Sequence, residues 1–207
     1  SAILAVIGVG LLFVYAHFEL YRTCGFFWPE LAVPSMTLAW FAFGLFLLAC
    51  ARLVPGSWPI VLLTVAGAGM LFKLVVVDMN GWDLGTDRWI YERPYTAGLA
   101  LVRFADFGLC LALLAAVFAQ VRGRSPGRPI GLTAGIAALA LLFLYLTLEL
   151  NTALDHFLPG LRAGAVTLLW ATYALVLLMF GLHRTVRGLR YAGLAIFTVV
   201  VFKIFFS

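Results

Sequence analysis

Apolar residues occur along this chain as seven long runs, separated by short breaks of Pro, Gly, Ser and charged residues. The runs cover 3–23, 31–53, 58–77, 96–121, 130–151, 161–183 and 189–206. At 1.5 Å of helical rise per residue, each is long enough to cross a hydrocarbon layer of about 30 Å. The breaks carry turn-forming pairs: Trp28-Pro29, Pro55-Gly56, Arg93-Pro94, Ser125-Pro126-Gly127 and Pro159-Gly160. None leaves room for a soluble domain. The pattern predicts an all-α, polytopic transmembrane bundle of about seven spans, one membrane domain over residues 1–207.

Composition strengthens this expectation. The 207 residues are 64% hydrophobic and 11% charged, with a mean hydropathy of +1.08, whereas an ordinary soluble domain is about 25% charged. A soluble fold has too little interior to hide so much apolar surface. The net charge of +5 does not point to nucleic acid, because the excess arginines sit in two short loops between apolar runs, where membrane orientation explains them. Cys24, Cys50 and Cys110 form no CxxC pair, which argues against a disulfide framework or a zinc site. The opening run lacks a basic n-region and a cleavage site, so it reads as a first transmembrane helix. The final run stops without a polar tail, and the natural chain is expected to continue with an acidic residue and an eighth span.

Basic loops stay on the cytoplasmic side. Arg122, Arg124 and Arg128 lie in one loop and Arg184, Arg187 and Arg190 in another two spans later, with Arg52 on the same side. The N-terminus is therefore expected in the cytoplasm, and the extended acidic, aromatic loop 78–95 outside.

The chain also repeats itself. An ungapped offset of 130 residues lays Leu11 through Tyr15 and Glu19-Leu20 on Leu141 through Tyr145 and Glu149-Leu150. Pro29, Thr37, Trp40, Phe72 and Lys73 then fall on Pro159, Thr167, Trp170, Phe202 and Lys203. Leucine matches are cheap in so apolar a chain, but Glu, Lys, Trp, Pro and Tyr are scarce here and coincide in one register. Copy one (11–73, helices one to three), helix four (96–121) and copy two (141–203, helices five to seven) define a four-helix repeat. An even number of spans keeps both copies in the same direction, a parallel repeat.

Leu148-Glu149-Leu150-Asn151-Thr152, Leu168-Leu169-Trp170, Gly181 and Arg190-Tyr191-Ala192-Gly193-Leu194 through Phe202-Lys203 carry a family likeness. In these stretches the chain resembles the bacterial predicted-membrane-protein family catalogued as domain of unknown function 2339. The resemblance covers most of copy two, and copy one through the repeat. It implies a large multi-pass envelope protein of the bacterial inner (cytoplasmic) membrane and carries no established activity. This chain is shorter than such proteins and has no polar N-terminal region.

Charge inside the runs is the candidate chemistry. Glu19 and Glu149 lie near the outer ends of the first and fifth spans, and Lys73 and Lys203 near those of the third and seventh. Arg103 and Asp106, three apart on the fourth, lie in the same outer half, and Tyr15 and Tyr145 precede the glutamates by one helical turn. A charge at the centre of a span costs about 2.5–3.5 kcal/mol on insertion scales, so this belt is expected to pair internally, Glu19 with Lys73 or Arg103 and Glu149 with Lys203. Such a belt is either a structural clamp that fixes helix register or the lining of a polar path. In the outer loop, Asp78, Asp83, Asp87 and Glu92 lack the closing glutamate of a calcium loop, and Trp82 and Trp89 read as an interfacial belt. No catalytic residue, metal site or cofactor emerges: no GxSxG, HExxH, P-loop or GxGxxG stands in a strand-helix context, and His17, His156 and His183 lie at unrelated depths. The expected partners are membrane lipids and other membrane helices of the same or partner chains. Three roles follow: a non-enzymatic component of an envelope assembly, a transporter or channel for a small or lipid-linked solute, or a transferase acting at the outer face.

Overall fold

The computed structural model describes residues 2–27, 32–53, 58–85, 87–121 and 128–206. The breaks at Trp28-Pro29, Pro55-Gly56 and Ser125-Pro126-Gly127, and the arginines at 122 and 124, lie outside the described residues.

Seven long helices follow one another: α1 (Ala2–Phe27), α2 (Ala32–Leu53), α3 (Trp58–Phe72), α4 (Ala97–Val121), α5 (Arg128–Phe157), α6 (Arg162–His183) and α7 (Arg187–Phe206). A π-helical segment, Lys73–Asp78, and a last turn, Met79–Gly81, prolong α3. Among the described residues, α2 to α7 are each long and apolar enough to cross a membrane, which fits a multi-pass membrane protein. Their outward side chains are those a lipid solvent accepts: Leu168, Leu175, Met179, Phe202 and Ile204 are all more than half exposed. Three helices outrun their expected ends, the first of them continuing from Thr23 to Phe27. The third was expected to end at Val77 and continues to Gly81, and the fifth was expected to end at Asn151 and continues to Phe157. Hydropathy marks where lipid contact ends, whereas the backbone ladder continues until a breaker stops it. A two-stranded hairpin, β1 (Leu84–Gly85) with β2 (Ile90–Tyr91), adds a small β element to the expected all-α fold.

The chain forms two compact units. Unit 1 comprises 1–84 and 96–142, with α2 packed against α1, α3 and α4. Its core holds Leu47, Leu48, Leu63, Met70, Phe107 and Leu113. Small residues set the helix spacing. A Cβ on Gly44 would lie 2.6 Å from Leu113 Cδ2, and one on Gly69 would lie 2.5 Å from the Trp40 ring. Each glycine thus forms the floor of a socket for a large side chain, the means by which membrane helices approach closely.

Unit 2 comprises 85–95 and 143–207. Its main packing joins α6 to α7 across a tight turn in which the Val186 N–H donates to Gly181 O at 3.0 Å. Gly193 makes this approach feasible, since a Cβ there would stand 2.9 Å from the backbone oxygen of Ala174.

Candidate functional site

Unit 1 buries a group of charges. Lys73 Nζ donates to Asp78 Oδ1 and Oδ2 at 2.8 and 2.7 Å and to Thr37 Oγ1 at 2.8 Å. Lys73, Asp78 and Thr37 are 6%, 2% and 1% exposed. In a regular α-helix, side chains five apart point about 140° away from each other. The π-helical turn inserts one more residue per turn and brings Lys73 and Asp78 onto one face, so the π segment and the ion pair account for each other. The acid expected to meet Lys73 was Glu19. Glu19 instead lies exposed on α1 with Tyr15, and Asp78, assigned to the outer loop by its sequence, takes its place. Sequence reasoning missed this pair because five is not an α-helical period.

Arg103 and Asp106 are buried together on α4 at 1% and 0% exposure. Lys73 and Asp78 lie close enough to act on Asp106 electrostatically, and the Thr37 hydroxyl stands beside its carboxylate as a hydrogen-bond donor. Cys110, one turn further on, is buried with a free thiol.

The outer loop is folded rather than extended. Trp82, expected at an interface, is buried with its ring 6.2 Å from that of Phe107 in unit 1. Asp83 and Trp89 adopt positive φ, 54° and 55°, to turn the chain. Asp83, Asp87, Glu92 and Trp89 are exposed, and among the described residues no three His, Cys, Asp or Glu side chains converge as a metal site would require.

In unit 2 the end of α5 holds the hairpin. Asn151 Nδ2 donates to the carbonyls of Arg88 and Trp89 at 2.9 and 2.8 Å, and the Tyr91 N–H donates to Thr152 Oγ1 at 3.1 Å. Arg162, at the start of α6, ties the same region together. It donates to Asn151 Oδ1 and Asp155 Oδ1, both at 2.7 Å, and to Arg88 O at 2.8 Å. None of Asn151, Thr152, Asp155 and Arg162 belonged to the expected belt. The signal available was an Asn-Thr pair near the end of an apolar run, followed by an arginine just after a Pro-Gly break.

Behind these groups lies a cavity of about 740 Å³. Arg88, Thr147, Asn151, Arg162 and Lys203 are its polar lining; Phe143, Leu144, Val166 and Trp170 are among its apolar lining. Lys203 Nζ stands 4.9 Å from the centre of the Trp170 ring, a cation–π contact in place of the expected bond to Glu149. Trp170 Nε1 donates to Thr147 Oγ1 at 3.1 Å, which fixes the ring. Three cationic side chains and no acidic one line the space. Tyr145 and Glu149 are half-buried on α5. The expected belt is thus divided: Lys73, Arg103 and Asp106 belong to unit 1, and Lys203, Tyr145 and Glu149 to unit 2. No protein-family model, curated protein or solved structure matches this chain.

Proposed function

We propose that this protein binds an anionic amphiphile, a phospholipid or lipid-linked phosphate, in the cavity of unit 2. The observation that carries the reading is a lining that combines three cations, Arg88, Arg162 and Lys203, with the apolar side chains of Phe143, Leu144, Val166 and Trp170, and includes no acid. Asn151 and Phe143 both line it from α5, about 12 Å of helix apart, and Lys203 over the Trp170 ring brings a cation to the Phe143 end. A phosphate headgroup matches the point charge of Lys203 and the N–H groups that Arg162 retains beyond its bonds to Asn151, Asp155 and Arg88. An acyl chain matches Phe143, Leu144 and Val166. Pockets of about 300–1,000 Å³ with a few convergent polar groups are the usual size for small-molecule ligands, so this one takes a headgroup and the first part of a chain. The assembly role weighed from the sequence rests on exposed apolar faces that lipid covers equally well, so the cavity is the more specific feature. Native mass spectrometry of the protein from detergent should show retained phospholipid. The Lys203→Met variant should lose most of it, and equal retention by that variant would contradict the assignment.

The parallel repeat supports a shared architecture for the two units. Phe13 lies 4.7 Å from Trp40 and 4.2 Å from Phe43 between ring centres. At the matching positions Phe143 lies 5.5 Å from Trp170 and 5.1 Å from Tyr173. Buried Gly44, Leu47 and Met70 likewise correspond to buried Ala174, Leu177 and Val200. In copy one the tryptophan rests on Gly69 and the lysine is held by Asp78. In copy two Val199 replaces that glycine, and Trp170 and Lys203 line a cavity instead. With α1 as the seventh span, this reading puts the N-terminus in the cytoplasm of a bacterium and the hairpin outside its inner membrane. The basic residues Arg52, Arg184, Arg187 and Arg190 at the opposite helix ends support the orientation. A reporter fused at Gly85 should be active only outside the cytoplasm; cytoplasmic activity would reverse the topology. Membership of the resembled family is part of the same proposal and adds no activity to it.

A further inference from the structure

We propose that the outward face of α1 is a dimer interface, on which a second copy of this chain seats its own α1 in parallel and the two copies exchange ion pairs between Glu19 and Arg22. Leu4, Leu11, Tyr15 and Phe18 are 70%, 65%, 68% and 69% exposed. With Gly8 and Arg22, also exposed, they recur at alternating steps of four and three residues and so form one stripe along the helix. Phe13 and His17 point the other way, onto the Trp40 ring of α2.

Lipid covers the leucines and phenylalanines of this stripe without any partner. Charge is different. Glu19, exposed beside the stripe, lies eight residues before the end of α1 at Phe27, about 12 Å along the axis. Phe26 and Phe27, 81% and 62% exposed, continue the apolar surface beyond Arg22, so both charges lie within it. Among the described residues neither Glu19 nor Arg22 has an ion pair or a hydrogen bond through its side chain.

With α1 taken as a span, on which the parallel pairing rests, all copies insert in the same direction and two α1 helices bring equal depths together. Glu19 and Arg22 are three residues apart, about 4.5 Å along the axis, an offset that the long arginine stem bridges. Two-fold symmetry then pairs both charges of both copies through one contact, Glu19 of each with Arg22 of the other. A different helix would have to present a cation and an acid matched to both positions; a second copy carries them already. Gly8, on the same stripe, has nothing within 4 Å of where a Cβ would stand, which leaves room for close approach of a neighbouring helix. Glu19 holds nothing inside its own copy, so its substitution acts on association and leaves the fold of one copy intact.

The test is energy transfer between donor- and acceptor-tagged copies of the intact protein in lipid vesicles, at a low and fixed ratio of protein to lipid. Wild-type copies should transfer well above the level of randomly placed molecules. Glu19→Arg alone and Arg22→Glu alone set like charges against each other, and each should weaken association by about tenfold or more. Mixed one to one, the two variants should recover transfer, because one copy then brings two cations and the other two acids; recovery also shows that both are folded. Wild-type transfer at the random level would leave lipid or an unrelated helix as the cover and overturn the proposal. Transfer that neither reversal changes would overturn it by placing association on another face, and so would single variants that fail to recover on mixing. Tags at the N-terminus and at Gly85 test α1 as a span separately: opposite sides of the membrane are expected, and the same side would overturn the parallel arrangement.

Discussion

Replacing Lys73 with methionine is expected to destabilise unit 1 by about 3–5 kcal/mol, the usual consequence of removing one partner from a buried ion pair. The Lys73 and Asp78 side chains are 8% and 0% exposed. The variant leaves Asp78 with no cation and removes the donor to Thr37. Pairing Lys73→Met with Asp78→Leu should recover most of the loss, because an apolar pair of similar volume suits this environment at least as well as a salt bridge. Glu19→Gln should change stability by less than about 0.5 kcal/mol, since that side chain is exposed. Thermal unfolding in detergent, followed by circular dichroism, orders the variants. A Glu19→Gln variant as damaged as Lys73→Met would restore the pairing that depth alone suggests.

Arg162→Met carries the second large effect. Three acceptors, Asn151 Oδ1, Asp155 Oδ1 and Arg88 O, lose their shared donor. The ion pair with Asp155 is partly solvated, at 25% and 34% side-chain exposure, so the loss is set by the two remaining bonds and amounts to roughly 2–3 kcal/mol. The loss falls on docking of the hairpin onto α5 rather than on the helices. Hydrogen exchange at Ile90 and Tyr91 should accelerate by one to two orders of magnitude, since about 1.4 kcal/mol is a factor of 10. Arg162→Lys should not rescue it, because an ammonium cannot fork to three acceptors in that geometry.

The helices were legible because lipid imposes one rule on long segments: backbone groups must be satisfied within the segment and side chains must be apolar. Trp58 through Asp78 shows where that rule ends. Hydropathy placed a boundary at Asp78, yet the backbone remains helical there because Lys73 gives the carboxylate a partner. Depth along a helix is readable from position, and rotation is not. Glu19 and Lys73 share a depth, but the angle of each about its helix axis depends on packing, such as Trp40 seated on Gly69, and no periodicity of charge reports that. The hairpin was hidden for another reason. Its partners are single polar groups, Asn151, Thr152 and Arg162, separated from it by more than fifty residues in the first two cases and over seventy in the third. In Asp106 the residue was visible and its neighbours Lys73, Asp78 and Thr37 were not, because surroundings are set by packing.

Fluorescence quenching by brominated lipids tests the cavity assignment most directly. A variant retaining only Trp170 is placed in phosphatidylcholine nanodiscs, and brominated phosphatidylglycerol is titrated against an equal fraction of brominated phosphatidylcholine. Trp170 lines the cavity and lies under Lys203. Binding of an anionic amphiphile there predicts saturable quenching at a low fraction of the anionic lipid, weak quenching by the zwitterionic one, and loss of the difference in Lys203→Met. Equal quenching by both lipids, rising linearly with their fraction and unaffected by Lys203→Met, would contradict it.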